Sequence, residues 1–262
     1  MKNDRAQAIR QYLFSNGSSP IATIAQAVGA SVPTLRRDLA MLEEQGVILR
    51  THGGARLAEE FQVEVAFEQR EAQSLSAKRA IGDLAYEMLQ PGSSIFLDSG
   101  TTVLQLARRI RVNPIPLNVF TNCLPAAQML IDVEGVKVTV LGGQLRKENS
   151  SMVGPLAEEM LQHLWFRQLF LGAGAIAEDG YLSSLDENEA RLNSVMLARS
   201  EQRILLADCS KFGQRLTYRV APLSDLHTVV SDDDMSPEWM ERIETMGVSV
   251  RRAEQPNGAA VR

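Results

Sequence analysis

Cysteine and histidine are scarce. The 262-residue chain holds two cysteines and three histidines, too few for a disulfide framework or a Cys/His zinc site. Cys123 and Cys209 each stand beside an apolar run and read as small buried residues in a reducing compartment. Long apolar runs are missing as well. The longest, near Leu169 to Ala177, falls far short of the roughly 20 residues of a membrane span. The start, Met1-Lys2-Asn3-Asp4-Arg5, enters an amphipathic pattern without a signal-peptide apolar core, so a cytoplasmic protein away from membranes is expected. Internal repeats and low-complexity segments are absent. Aromatics make up only 5%, yet 45% of residues are hydrophobic and 23% charged. That balance is globular and excludes collagen-like or disordered chains. A bulk positive charge is also lacking. The net charge of −5 excludes a uniformly basic nucleic-acid binder.

The charge is uneven, however. Residues 1–57 carry Lys2, Arg5, Arg10, Arg36, Arg37, Arg50 and Arg56 against four acidic residues, while the rest of the chain is acidic overall. A basic N-terminal module on an acidic body is the natural reading. Its pattern is helical three times over. Arg5 to Phe14 spaces Ile9, Tyr12 and Leu13 as a helix. Ser19-Pro20 resembles an N-cap and first-turn proline before a short helix carrying Ile24, Ala25 and Val28. Ser31 caps a third helix with Pro33 in its first turn, and Val32, Leu35, Leu39 and Leu42 mark its apolar face. Gly46 stops it, Val47 to Thr51 reads as a strand, and His52 to Arg56 as a tight turn. Three helices and a small hairpin, with a turn of about three residues between helices two and three, give winged helix-turn-helix geometry. Thr34, Arg36 and Arg37 fall off the apolar face and are side-chain types that reach phosphates and guanine edges. A solvated face on a protein-interaction domain is the alternative.

These residues carry a resemblance. Ile24-Ala25, Gly29 to Val32, Thr34 to Leu39, Leu42-Glu43, Gly46 and His52 to Ala55 resemble the DeoR-type winged helix-turn-helix of bacterial repressors. The resemblance covers residues 2–57 and implies a two-helix motif at about 19–38. It also implies binding of double-stranded operator DNA through Ser31, Pro33, Thr34, Arg36, Arg37, His52 and Gly53. Asp38 would repel a phosphate, so it is expected to fix Arg37 or a helix instead. Residues 58–75, acidic and Gln-rich with Phe61, Phe67 and Arg70, read as a linker.

From Ser76 onward helical and strand patterns alternate, which predicts a parallel or mostly parallel α/β domain over 76–232, followed by a C-terminal helix, strand and tail at 233–262. Within it, Asp98-Ser99-Gly100-Thr101-Thr102 follows a buried strand and opens a helix. A glycine turn, three hydroxyls and a helix N-terminus suit a phosphate. Plain helix capping by Ser99 or Thr101 is the equal alternative. Thr121-Asn122, Gly142-Gly143, Gly172-Ala173-Gly174 and Asp208 to Lys211 follow further strands. In a parallel sheet all of these loops open on one edge and make a polar pocket. Lys211 is either its cation or a solvated surface residue. Asp186, Glu187 and Glu189 sit near a helix start, where carboxylates favour the dipole.

The segments Ile95 to Thr102, Phe120 to Asn122, Val140 to Arg146, Val153 to Pro155, Phe170 to Ala173, Glu189-Ala190 and Leu206 to Gly213 resemble the sensor domain of the same family. That implies a fold similar to ribose-5-phosphate isomerase and coenzyme A transferases, and a phosphorylated sugar as effector. Matched position by position, Asp98, Ser99, Gly100, Thr101, Thr102, Asn122, Gly143, Gly172, Glu189 and Lys211 would line the site. The pattern departs from the family at Arg167-Gln168, at Asn193 in place of a lysine, and at Gly172 to Ala175, which lacks a carboxylate. The expected function is a repressor of a carbohydrate-catabolism operon, acting as a dimer or tetramer without catalytic residues, metal or cofactor. The alternative is a sugar-phosphate isomerase-like enzyme with a DNA-binding module. Against it, His52, His163 and His227 all fall outside the pocket motifs.

Overall fold

The computed structural model describes residues 2–58 and 67–254. The chain divides into two compact units, Met1–Arg70 and Glu71–Arg262. In the first, α1 (Lys2–Asn16), β1 (Ser19–Pro20), α2 (Ile21–Ala27) and α3 (Val32–Glu44) precede β2 (Ile48–Thr51) and β3 (Gly54–Leu57). Ser31 caps α3 by accepting a hydrogen bond from the Thr34 amide, with Pro33 in the first turn. Leu35, Leu39 and Leu42 then turn inward against Ile9, Leu13, Ile24 and Ile48. Val32, expected on that face, is exposed, because it opens the helix beyond the edge of the small core. Ser19 is not an N-cap either. Its backbone pairs with Ala55, so β1 joins β3 and β2 in a three-stranded sheet, and Pro20 occupies the cap position. Asp38 is buried on α3 and pairs with Arg5 of α1, Nε to Oδ2 at 2.6 Å, rather than with Arg37. Residues 67–72 are helical (α4), with the Arg70 guanidinium 5.8 Å from the Phe67 ring centroid. Phe61 and the tail beyond 254 lie outside the described residues.

The second unit is a parallel sheet with helices around it. Its elements run α5 (Leu75–Tyr86), β4 (Ser94–Leu97), α6 (Thr101–Val112), β5 (Leu117–Thr121), α7 (Leu124–Leu130), β6 (Val136–Val140), β7 (Gln144–Arg146), β8 (Ser151–Val153) and α8 (Pro155–Gln162). They continue through β9 (Phe166–Leu171), β10 (Ala175–Ile176), β11 (Tyr181–Ser184), α9 (Glu187–Ala198), β12 (Ser200–Leu206), β13 (Tyr218–Pro222), β14 (Thr228–Asp232), α10 (Pro237–Thr245) and β15 (Ser249–Ala253). Seven strands pair in parallel in the order β15-β14-β12-β9-β4-β5-β6. At the sheet centre Ile95 to Leu97, Leu169 to Leu171 and Ile204 to Leu206 are continuous apolar runs, as burial on both faces requires. Phe166 meets Phe96 and Phe120 with ring centroids 5.1 Å apart in each pair. The edge strands are different: Lys137 and Thr139 are exposed on β6, Arg251 and Arg252 on β15. Two small antiparallel sheets, β7-β8 and β10-β11-β13, lie outside this ladder. No helix among the described residues is long and apolar enough to cross a membrane.

Candidate functional site

Because the seven strands are parallel, the loops after β4, β5, β6, β9 and β12 leave the same edge of the sheet. That is where open α/β sheets take ligands. Gly100, not Ser99 or Thr101, is the N-cap of α6, and no side chain caps it. The helix N-terminus therefore keeps its donors for another partner. Gly100 and Gly172 stand back to back, and a Cβ on either would lie 3.2 Å from the other's Cα. This approach lets Asp98 Oδ2 accept the Gly172 amide at 2.9 Å. Thr102 is buried, while Thr101 is half-buried at the start of the helix.

A polar network continues from this loop. Asn149 Nδ2 donates to Ser99 Oγ and to Glu189 Oε1, both at 3.0 Å, and Asn149 Oδ1 accepts from Ser151 at 2.6 Å. Glu189 also accepts from Arg146 at 3.2 Å and from the Ser184 hydroxyl. Asp186 caps α9 through the Glu189 amide, as expected for an acid at a helix start, and lies 3.5 Å from Arg146. Asn122 is buried at the end of β5 with its Oδ1 unpartnered. Gly143 sits at the base of the β7-β8 hairpin at φ +141, where a Cβ would meet the Val153 carbonyl at 2.7 Å. Asp98, Ser99 and Glu189 thus come together, with Gly100 and Gly172 beside them. Lys211 does not join the network. It ends a 3-10 turn (Cys209–Lys211) after β12, and its side chain makes no hydrogen bond or ion pair among the described residues. Cys209, read as buried, is half-exposed there, whereas Cys123 is buried.

Burial, and then the charge of Glu189, push the Asp98 carboxyl up to about 6, against the pull of the Gly172 and Ser99 amides. A raised carboxyl favours the fold below the unfolded pKa near 4 and loses that contribution as pH rises through about 6. Asp98→Asn keeps an acceptor for Gly172 and removes the charge. Its stability advantage over the wild type is expected to grow between about pH 4 and 7, to roughly 3 kcal/mol at most. Paired thermal melts across that range check this; a pH-independent difference refutes it.

In the N-terminal unit the sequence-selected residues fall on one helix and one turn. Ser31 and Pro33 open α3 exposed, with Thr34 half-buried beside them. Arg36 and Arg37 are exposed on α3, and His52 and the positive-φ Gly53 form the exposed turn between β2 and β3. Arg50 of β2 ties these parts together, bonding the Arg36 carbonyl at 3.2 Å and Glu43 at 3.3 Å. A DeoR-like helix-turn-helix domain matches residues 5–61, and the DeoR C-terminal sensor domain matches residues 73–233. The chain belongs to the DeoR family. The HTH-type transcriptional regulator GlpR of Haloferax volcanii is 34% identical over 94% of this chain and 96% of that protein. The lactose phosphotransferase system repressor of Staphylococcus epidermidis is 33% identical over 93% of this chain and 97% of its own length. The HTH-type transcriptional repressor CsqR of Escherichia coli is 33% identical over 88% of each chain. Ribose 5-phosphate isomerase A from Neisseria gonorrhoeae aligns over 53% of this chain and 54% of its own, at 14% identity and a TM-score of 0.40. The relatives are regulators and repressors, and this DeoR-family chain is a DNA-binding transcription regulator rather than an enzyme.

Sequence reasoning missed Arg146, Asn149, Ser151 and Ser184. Arg146 closes a matched motif, so that match was an available signal. Asn149 and Ser151 sit in a hairpin of three-residue strands, too short for any periodicity.

Proposed function

We propose that this regulator represses a carbohydrate-catabolism operon in the cytoplasm and is released by a phosphorylated sugar. Homo-oligomers, dimeric or tetrameric, present paired winged domains to two operator half-sites. The supporting observation is the uncapped N-terminus of α6 behind the Gly100–Gly172 contact, beside buried Asp98 and Asn122. The donors at the helix suit a phosphate; the carboxylates and amides suit hydroxyls. The effector shifts the balance between DNA-competent and DNA-incompetent states by its differential affinity for them. A thermal-shift screen of sugar phosphates tests this, followed by operator release with each hit. A ligand that raises stability but never releases operator would overturn it, as would a full panel without a hit.

Lys211 belongs to this reading as the cation of the pocket mouth. Lys211→Met keeps most of the side-chain volume and removes the charge. Losing a hydrogen bond to a charged group of roughly 1.5–3 kcal/mol lowers ligand affinity about 10- to 150-fold. Operator affinity without ligand stays unchanged. Calorimetric titration of both proteins with a hit from the screen checks this, and equal affinities return Lys211 to the solvated surface.

A further inference from the structure

Arg146 is held in an unusual way for so well-buried a cation. Its side chain is 13% exposed and faces three carboxylates: Glu189 at 3.2 Å, Asp186 at 3.5 Å and Glu148 at 3.5 Å. Yet its hydrogen-bonding capacity is barely used. A guanidinium has five N–H donors. Here one nitrogen, Nη1, bonds Glu189 Oε1, while Nε is buried without a hydrogen-bond partner. The carboxylates supply charge but not the paired in-plane geometry that a guanidinium fork prefers.

The residue also sits next to the tip of the β7-β8 hairpin. β8 is anchored by backbone bonds to the loop after β5, Met152 N to Asn122 O at 2.8 Å and Leu124 N to Ser150 O at 3.0 Å. The tip carries backbone pairing of Arg146 with Ser151 of β8 and, in addition, side-chain bonds to Glu189 and to Ser99. Ser99 belongs to the loop that opens α6, so Arg146 is three hydrogen bonds and two side chains from it, through Glu189 and Asn149. Without an anion the carboxylates outnumber this cation. Asp98 feels Glu189 already.

We propose that Arg146 is an anion-binding residue of the sensor pocket, and that it exchanges Glu189 for the charged group of the effector. This rests on the reading of the α6 loop as an anion site. The exchange frees one acceptor position on Glu189 Oε1, which keeps its bond from Asn149, for a ligand hydroxyl. A ligand with an anionic group and neighbouring hydroxyls satisfies both residues at once. A neutral sugar leaves Arg146 on Glu189.

Inorganic phosphate is the probe, titrated calorimetrically into the full chain at constant ionic strength. Arg146→Gln weakens phosphate binding about 10-fold or more, and Arg146→Lys restores part of it. Glu148→Gln, which removes a competing charge from a side chain 56% exposed, tightens it. That variant keeps the test intact if Arg146→Gln does not fold. A merely structural arginine would lower melting temperature without changing phosphate affinity, and that result overturns the role of Arg146 while leaving the α6 loop standing. Unchanged affinity in Glu148→Gln also counts against it. Absence of phosphate binding to the wild type overturns the loop and Arg146 together.

Discussion

Alanine at Arg36 or Arg37 weakens operator binding, and the two variants differ in kind. Both side chains stand exposed on α3, opposite Leu35 and Leu39, which fix the helix from behind. An arginine that reads a guanine edge costs roughly 1–3 kcal/mol on removal, about 5- to 150-fold in affinity, and relaxes preference at one base pair. One that neutralises a phosphate weakens all sequences alike and lowers the salt slope by about one. Operator fragments selected from a random library, titrated at several salt concentrations, separate the two outcomes. Full affinity in both variants would mean that α3 is not the recognition helix.

Thr101→Glu yields a regulator that folds and binds operator but ignores its effector. The side chain is half-buried in the first turn of α6, where the macrodipole favours a carboxylate, so stability is kept. The same carboxylate occupies the donors that a phosphate would need and repels its charge. Operator binding is then insensitive to any sugar phosphate that releases the wild type. Effector-dependent release by the variant would remove the α6 loop from the site.

Much of this was legible from residue order because local and global signals agree. Ser31, Pro33 and the Leu35, Leu39, Leu42 spacing all demand the same helix, and α3 is that helix. Apolar runs such as Leu169 to Leu171 could only be buried strands in an alternating chain. Ser19-Pro20 failed because its capping signal is local, whereas its fate is set by Ala55, a partner 36 positions away. The short sheets β7-β8 and β10-β11-β13 were invisible for a related reason. Their strands of two to five residues gain stability from pairing across sequence, not from their own pattern. Arg146 and Asn149 ride on one of them, so these two polar residues of the site left no periodic pattern in the sequence.

The charged margins of the large sheet constrain self-association. An exposed strand edge is a template for another chain, and lysine or arginine on it is a common defence. Lys137 on β6 and Arg251 with Arg252 on β15 put like charges where a second ladder would have to dock. Two copies joined edge to edge would bring those cations together. Copies of this regulator are therefore expected to meet through helices and loops, leaving the seven-stranded ladder closed within each chain.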